Sequence, residues 1–449
     1  MSKPSKTITS TAPGDSVSVT GDHYTIKVSG DGSSVLDSGT HNRTTLSGAN
    51  QSAILNGDYD DVISTGANGF VLLNGTHDSA QLSGADSFAI VNGSRNTLEM
   101  TGSGNAANVT GSDNRITSTG TANAVSLNGT DHEVTLSGEF STVNDHGNHD
   151  RTKLEGNNES ASLFGDDSTA VSTGDGNFIR LRGTDGTAIA RGDHNTVIDT
   201  GTGNRTVLAG DGGSARLAGS SSGGELKVTG DNASINLQGT DGKVVVTGDH
   251  ATLLDTGSGD TIVLRGDHEN ANVVGSNAHV ISTGCDNTIS VGGTGDTVDA
   301  SNATIKLRNG VNAELHGHNN AITMGVDATL NLTGFRNDVI DASGADDADV
   351  LALGGHFGHE RLWFAESDGD LVISVLGSHR NVTLAGWFDS PDNHVSTIKT
   401  GDGFSISDEG VDQLVQAMAA FAPPSGHGHL SHAVAEALEP VLAANWQHS

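Results

Sequence analysis

Apolar and polar residues alternate along most of the chain in short runs, and each run is followed by a glycine. Residues 25–30 and 133–138 are representative, because every second position in them is aliphatic or β-branched until the glycine is reached. Alternation over a few residues is typical of a β-strand with one buried face, and glycine marks the turns between such strands. The pattern predicts an all-β protein built from many short strands.

Glycine occurs at every ninth position from Gly21 to Gly219, and the same spacing resumes from Gly230 to Gly293. A short fixed interval indicates a repeat architecture in which each unit stacks on its neighbours. We expect each nine-residue unit to hold one strand and one turn, with the glycine supplying a corner of positive φ. Asp, Asn and His, which tolerate left-handed backbone, commonly follow the glycines.

A second period of 27 residues lies within the first. The position two residues before the glycine is usually Leu or Val, but in some units a short polar residue replaces it. These polar positions are Asp37, Ser64, Ser118, Asp145, Ser172, Asp199, Asp255 and Ser282. Three alternating kinds of nonapeptide predict a three-sided parallel β-solenoid with 27 residues per coil, in which coils stack about 4.8 Å apart. The polar column either points inward as a hydrogen-bonded ladder or is turned outward by a bulge.

Four segments follow from these patterns. Residues 1–15 are polar and are expected to form a flexible leader, and residues 16–354 form the solenoid. Residues 355–424 contain longer strands, Asp-Gly turns and a helix expected to start at Asp408 and stop before Pro423. This segment predicts a small α+β domain that caps the open end of the solenoid. Residues 425–449 combine a histidine-rich hinge with an amphipathic tail.

The balance of acidic and basic residues limits the classes of partner that the protein can bind. The 449 residues include 22 basic and 55 acidic side chains, for a net charge of −33. This excess argues against nucleic acids and anionic membranes as partners, since both require a basic surface. No apolar run approaches the roughly 18 residues of a membrane span, and the first residues lack the apolar segment of a cleaved secretion signal. The single cysteine, Cys285, allows no intrachain disulfide.

Several motifs near the C-terminus occur together and in a fixed order. They are Leu362-Trp-Phe, Asp368-Gly-Asp-Leu-Val-Ile, Val382-Thr-Leu followed by Gly-Trp-Phe388, the Thr400-Gly-Asp-Gly turn, and Val411-Asp-Gln-Leu-Val-Gln-Ala-Met. Through this set, residues 360–424 resemble the domain that follows haemolysin-type (RTX) calcium-binding repeats in bacterial proteins. The resemblance implies export by a type I secretion machinery that reads an uncleaved C-terminal signal, here residues 425–449. It therefore implies an extracellular or cell-surface location without an N-terminal signal peptide.

The same resemblance implies Ca²⁺ as a cofactor. The family's repeats hold the ion with turn carbonyls and aspartates of successive turns, and residues 334–341 and 57–63 match that repeat best. The candidate ligands are Asp61, Asp338, Asp341, Asp346 and Asp347. A continuous calcium ladder is not expected, because most units lack the carboxylate and Ca²⁺ needs six to eight oxygens. The turn histidines follow all three kinds of glycine and form no column, so we expect them to fill turns rather than bind zinc.

These observations predict a secreted, non-catalytic solenoid with a structural or adhesive role in the extracellular matrix or at the cell surface. Its expected partners are a second copy, joined end to end through an uncovered first coil, extracellular polysaccharide and the secretion machinery. One alternative is a carbohydrate-binding accessory module whose outward polar rows contact glycans. A polysaccharide lyase or epimerase is a further alternative, but the solenoid has no tryptophan and no long insertion to build a cleft.

Overall fold

The computed structural model describes residues 6–218, 223–343, 348–422 and 430–448. It consists of two compact units, residues 1–230 and residues 231–449. In each unit the chain forms a parallel β-solenoid, which confirms the prediction from alternation and glycine spacing. Each nonapeptide supplies a strand of about four residues, and the rest of it forms a turn.

The described part of unit 1 contains strands β1–β25, of which the odd-numbered strands form sheet A and the even-numbered strands form sheet B. They are β1 Lys6–Ser10, β2 Ser16–Val19, β3 Tyr24–Val28, β4 Ser34–Asp37, β5 Arg43–Leu46, β6 Ser52–Leu55, β7 Asp61–Ser64, β8 Phe70–Asn74, β9 Ser79–Leu82, β10 Phe88–Ser94, β11 Thr97–Met100, β12 Ala106–Ser112, β13 Arg115–Ser118, β14 Ala124–Thr130, β15 Glu133–Leu136, β16 Thr142–Asp145, β17 Arg151–Leu154, β18 Ser160–Leu163, β19 Thr169–Ser172, β20 Phe178–Leu181, β21 Thr187–Ala190, β22 Thr196–Asp199, β23 Arg205–Leu208, β24 Ser214–Leu217 and β25 Glu225–Val228.

The described part of unit 2 contains strands β26–β45 and two α-helices. The strands are β26 Ser234–Leu237, β27 Lys243–Val246, β28 Thr252–Asp255, β29 Thr261–Leu264, β30 Asn270–Val273, β31 His279–Ser282, β32 Thr288–Val291, β33 Asp296–Ala300, β34 Thr304–Leu307, β35 Asn312–His316, β36 Ala321–Thr323, β37 Thr329–Thr333, β38 Asp338–Asp341, β39 Val350–Leu353, β40 Leu362–Ser367, β41 Asp370–Val375, β42 Asn381–Leu384, β43 Thr397–Thr400, β44 Phe404–Ser407 and β45 Gln447–His448. The helices are α1 Asp408–Met418 and α2 His432–Asn445, and two short 3₁₀ helices span His359–Arg361 and Pro391–Asn393.

Each coil of the solenoid contains two strands and 18 residues, so the predicted three-sided coil of 27 residues is wrong. Strand β3 pairs with β5 and places Thr25 beside Arg43, while β2 pairs with β4 and places Ser16 beside Ser34. Polar residues recur in every third nonapeptide, whereas a coil holds only two nonapeptides. Successive polar residues therefore fall on alternate sheets, and each sheet repeats the feature after three coils. Asp37, Asp145, Asp199 and Asp255 lie in sheet B, and Ser64, Ser118, Ser172 and Ser282 lie in sheet A.

The ladder glycines are required by close contact between coils rather than by positive φ. A Cβ on Gly57 would lie 1.6 Å from the carbonyl oxygen of Gly39, and one on Gly66 would lie 1.8 Å from that of Gly48. Neither Gly57 nor Gly66 has positive φ. The left-handed residue comes two positions after the glycine, as at Asn50 with φ 56°. The expectation of a positive-φ glycine is thus wrong at most units, because Asn, Asp and His supply that turn geometry themselves.

The residue after each left-handed position points into the solenoid and joins neighbouring coils. The backbone N–H of Asn96 donates to Oδ1 of Asn114 at 2.9 Å, and the Asn114 Nδ2 donates back to the carbonyl of Gly93 at 2.9 Å. The backbone N–H of Asn105 donates in the same way to Oδ1 of Asn123 at 2.8 Å. Both corners of the coil thus carry a buried polar ladder, which satisfies turn N–H groups that have no sheet partner.

The Asp and Ser residues at the strand ends point inward, which settles the alternative left open by the sequence. Asp37 accepts hydrogen bonds from the backbone N–H of Gly39 and from Nδ2 of Asn42, at 3.0 and 2.7 Å. Ser118 accepts from Nδ2 of Asn123 at 2.8 Å. Each such pair, which we call a brace, joins the last residue of a strand to the buried ladder residue five positions later by a hydrogen bond.

Two of these braces consist of two carboxyl groups, Asp145 with Asp150 and Asp255 with Asp260. All four side chains are buried, and the two carboxyl groups of each pair are hydrogen-bonded to each other. Burial raises the pKa of Asp150 to about 8 and that of Asp260 to about 7, with the neighbouring carboxyl adding to both shifts. Asp150 and Asp260 are therefore protonated in the folded chain at a pH where a carboxyl group in water is ionised.

The ends of the predicted solenoid differ from expectation. Residues Lys6–Ser10 form β1 and pair with β3, so this part of the predicted leader belongs to the solenoid. Strands β42 and β43 pair in parallel with β38 and β39, so the solenoid sheets continue beyond residue 354. The reason is that both strands keep the alternation of buried and outward residues that defines the earlier coils.

The remaining C-terminal elements cover this last coil. Strands β40 and β41 form a hairpin that joins β42, and β44 pairs antiparallel with β43. Helix α1 begins after Ser407, whose side chain accepts the N–H of Gly410, and it ends at Met418, earlier than predicted. Helix α2 packs against α1, and β45 pairs with β44. The predicted histidine hinge at residues 426–429 lies outside the described residues.

Substitution of Gly57 by Ala is expected to lower the free energy of unfolding by about 3 kcal/mol, because the new methyl group overlaps a backbone oxygen that no rotamer change can move. Urea denaturation of the full chain measures this effect. Gly32→Asn is the control, since Gly32 has φ 69° and an added Cβ there meets no atom within 4 Å. A similar loss of stability in both variants would contradict the close-contact explanation.

Substitution of Asp150 by Asn is expected to stabilise the chain at pH 8 by about 2 kcal/mol and to have little effect at pH 4. A carboxyl group whose pKa is raised by folding contributes stability below its unfolded value, 3.8, and that contribution is lost as the pH rises through about 8. An amide removes this loss and can donate to Asp145, as Asn42 donates to Asp37. Thermal unfolding of both chains at the two pH values tests the prediction.

Asp131→Asn is the matched control for that experiment, because Asp131 is an exposed turn residue with φ 61°. It should leave the pH dependence of the melting temperature unchanged. Equal pH profiles for Asp150→Asn and the unsubstituted chain would show that the buried carboxyl pair does not govern the profile.

Candidate functional site

Among the described residues, two of the predicted calcium ligands, Asp338 and Asp341, lie on opposite faces of one strand. Asp338 is buried, and its two carboxylate oxygens accept the backbone N–H groups of Asn320 and Arg336 at 2.7 and 3.0 Å. Burial raises the pKa of this carboxyl group. Asp341 lies on the opposite face of β38, where it accepts the N–H of Ser343. Asp338 therefore takes part in the buried ladder, and its oxygens are already occupied by protein donors.

The remaining predicted calcium ligands are Asp61, Asp346 and Asp347. Asp61 is exposed at the start of β7 in unit 1. Asp346 and Asp347 lie outside the described residues. Calcium binding thus stays a prediction from the resemblance.

A different group of metal-ligating residues is assembled in unit 2. Among the described residues, His359, Glu360 and Asp402 bring one potential ligand atom each to within 4.8 Å of the others. Asp402 already accepts the backbone N–H of His359 at 3.1 Å, and its Oδ2 lies 2.8 Å from Nδ1 of the same residue. Burial opposes ionisation of Asp402, but hydrogen bonds from Thr400 and His359 outweigh it and lower the pKa to about 2. The group is a hydrogen-bonded cluster, and two of its members, His359 and Glu360, line a cavity described below.

The turn histidines form rows, contrary to the expectation that they share no column. The rings of His23, His41, Tyr59 and His77 follow one another along one edge of unit 1, with centroids 5.1, 4.9 and 4.8 Å apart. All four residues have positive φ, so they also fill turns as predicted. The row becomes visible only with an 18-residue coil, because a 27-residue coil would place these residues on different corners.

Part of the outer face of sheet B in unit 1, from β2 to β18, is distinguished by its lack of charge. Arg180 and Arg182, at the next strand of the sheet, mark its limit, and Arg182 lies 4.8 Å from the ring centroid of Phe164. Nine consecutive strands, β2 to β18, each present three outward positions on this face. None of these positions carries Asp, Glu, Lys or Arg. We call this surface the neutral face. It comprises the rows Ser16, Ser34, Ser52, Phe70, Phe88, Ala106, Ala124, Thr142 and Ser160; Ser18, Leu36, Ile54, Leu72, Ile90, Asn108, Ser126, Asn144 and Ser162; and Thr20, Ser38, Asn56, Asn74, Asn92, Thr110, Asn128, His146 and Phe164.

The opposite face of the same coils shows that the absence of charge is specific to sheet B. The corresponding outward positions of sheet A, from β3 to β19, contain nine charged side chains. These are Lys27, Arg43, Asp61, Glu99, Arg115, Glu133, Arg151, Lys153 and Glu155. Some of them form ion pairs, such as Lys153 with Glu133 at 2.9 Å. The two faces therefore differ in charge, although their core residues are alike.

The neutral face contains an apolar stripe beside an amide ladder. Leu36, Ile54, Leu72 and Ile90 follow one another in the central row, and Leu36 is 43% exposed. The rings of Phe70 and Phe88 stack beside this row with centroids 6.2 Å apart. Exposed apolar patches with polar rims commonly mark binding surfaces.

The amide ladder runs along the other side of the stripe. Nδ2 of Asn92 donates to Oδ1 of Asn74 at 2.9 Å, and Nδ2 of Asn74 donates to Oδ1 of Asn56 at 2.8 Å. The hydroxyl of Thr110 extends the ladder by donating to Asn92. These contacts fix the amide groups in one orientation, so their remaining donors and acceptors face outward at regular intervals.

Comparison with known families assigns no activity. A family model described as a protein of unknown function, DUF3060, matches residues 91–149, which lie in unit 1 and include part of the neutral face. Within the described residues, no helix combines the length and the apolar character needed to cross a membrane.

The neutral face was missed by the sequence analysis because the coil length was assigned wrongly. Outward residues of sheet B recur at intervals of 18, and with a 27-residue coil they mix with charged residues of sheet A. Comparison of residues 18 apart would have revealed both the neutral face and the histidine row.

Proposed function

We propose that this protein is an extracellular, non-catalytic adhesive solenoid that attaches to neutral polysaccharide through the neutral face of unit 1. The observation that supports the proposal is that charged side chains lie on the outer face of one sheet and, from β2 to β18, are missing from the outer face of the other. In a chain with a net charge of −33, nine coils present one face without charge and one face with nine charged residues. A charge-free face avoids the desolvation of ions that close contact with a neutral partner would otherwise require.

The chemistry of the face favours carbohydrate over a purely apolar partner. A sugar chain has apolar C–H surfaces and hydroxyl groups that both donate and accept hydrogen bonds. The C–H surfaces can pack on the apolar stripe, which includes Leu72, Ile90 and the Phe70–Phe88 pair. The hydroxyl groups can form hydrogen bonds with the oriented amides of Asn56, Asn74 and Asn92. A regular row of groups along the solenoid suits a polymer that repeats along its own axis.

Support for an extracellular location comes from the resemblance of residues 360–424 to the domain that accompanies RTX repeats. In this proposal the protein is exported by a type I machinery, and residues 425–449 contain the signal. Calcium remains part of the proposal only through that resemblance. The absence of long insertions in the repeats from Gly21 to Gly219 supports a binding role over catalysis, since a lyase or epimerase needs a cleft lined by acids, bases and aromatic platforms.

The proposal predicts that the purified chain is retained by insoluble neutral polysaccharides such as cellulose, β-1,3-glucan or mannan. Leu72→Glu should weaken retention about tenfold, because it places an unpaired charge in the contact surface. Co-sedimentation at several protein concentrations measures the dissociation constant.

Ile63→Glu is the matched control, because Ile63 is an aliphatic residue in the adjacent strand β7 that faces outward on sheet A, between Thr45 and Gln81. This variant adds the same charge and should bind as the unsubstituted chain does. Loss of retention in both variants, or failure of every neutral polysaccharide to retain the chain, would overturn the proposal.

A further inference from the structure

Unit 2 contains a cavity of about 790 Å³ between helix α2 and the strands that cover the last coil. This volume lies within the roughly 300–1,000 Å³ of small-molecule sites. The cavity belongs to the C-terminal cap and is separate from the neutral face of unit 1.

The floor of the cavity is apolar and partly aromatic. Phe404 from β44, Leu442 from α2 and Trp446, which follows α2, contribute to it. The His359 ring holds this floor together, since its centroid lies 4.0 Å from that of Phe404 and 5.3 Å from that of Trp446. Trp446 is 6% exposed, so the floor is packed rather than a chance depression.

The rim of the cavity is acidic. Glu436 and Glu439 project from one side of α2, and Glu360 faces them from the 3₁₀ helix His359–Arg361. Among the described residues that line the cavity there is no Lys or Arg, and its basic groups are the imidazoles of His359 and His432. Three carboxylates around an apolar floor create a negative potential inside a partly enclosed space, where charge interactions are screened less than on an open surface.

We propose that this cavity binds a small organic cation with an apolar body, that is, an aromatic or aliphatic amine. The apolar body would occupy the floor between Phe404, Leu442 and Trp446, and the ammonium group would lie at the rim formed by Glu360, Glu436 and Glu439. An aromatic floor also attracts a cation directly. An anionic ligand of the same shape would meet three like charges, so the site discriminates by charge.

Three probes with one benzene ring and two carbons beyond it test this inference: phenethylamine, phenethyl alcohol and phenylacetate. Ligand-observed NMR titrations of the full chain at neutral pH give the three dissociation constants. We expect the amine to bind at least about tenfold more tightly than the alcohol, and phenylacetate to bind most weakly. Added salt should reduce the advantage of the amine, since the rim is open to solvent.

The double variant Glu436→Gln/Glu439→Gln should reduce binding of the amine to the level of the alcohol and leave binding of the alcohol unchanged. Both residues are exposed on α2, so the substitutions do not disturb buried packing. Glu409→Gln, at an exposed position of α1 that does not line the cavity, is the matched control and should bind all three probes normally.

Three results would overturn the inference. They are no binding of the amine, equal binding of amine and alcohol by the unsubstituted chain, and unchanged preference for the amine in the double variant. Thermal unfolding of each variant shows whether the fold is retained. If the double variant is unfolded, the comparison of the three probes on the unsubstituted chain decides alone.

Discussion

The close contact between stacked glycines is the constraint on which the rest of the structure depends. The carbonyl of Gly39 occupies the space that a Cβ of Gly57 would need, and the same relation recurs along both edges of the solenoid. This contact lets the turns stack at the spacing that the strands of both sheets require. A side chain at the position would separate the coils at one edge and weaken the hydrogen bonds on both sides of it.

The tight turn creates two further requirements, and the sequence meets both. The chain must reverse with positive φ two residues after the glycine, which selects Asn, Asp and His. The next residue must satisfy a buried N–H in the neighbouring coil, which selects Asn, Asp and Ser. Asn meets the second requirement without ionising, whereas Asp does so only with a raised pKa. The carboxyl pairs at Asp150 and Asp260 therefore make the interior of the solenoid sensitive to pH.

The buried residues determine the fold, so the outward residues can vary without changing it. The outward residues can therefore be selected for function. Both sheets of unit 1 bury the same kinds of small and branched side chains, yet over strands β2 to β19 one presents charge and the other does not. A solenoid can thus display long rows of chosen chemistry without a cleft, since each coil repeats the same outward geometry. The C-terminal cap differs, because helices and antiparallel strands of unequal length leave a cavity between them.

Much of the fold was determined by local sequence alone. Alternation located nearly every strand, glycine spacing located the turns, and longer apolar runs identified the cap, since each of these signals acts within a few residues. The number of strands per coil was not determined in this way. A nonapeptide with one strand and one turn is compatible with two or three sides, and the choice depends on which strands pair.

The number of strands per coil determines which residues of successive coils lie beside one another. It placed His23 beside His41, put Asp37 and Ser64 on different sheets, and gathered the outward residues of sheet B into the neutral face. The cavity beside Trp446 likewise requires the tail to fold back on β44, a contact between residues distant in sequence. Sequence determines the local element through nearby residues, whereas only tertiary pairing determines which distant side chains share a surface.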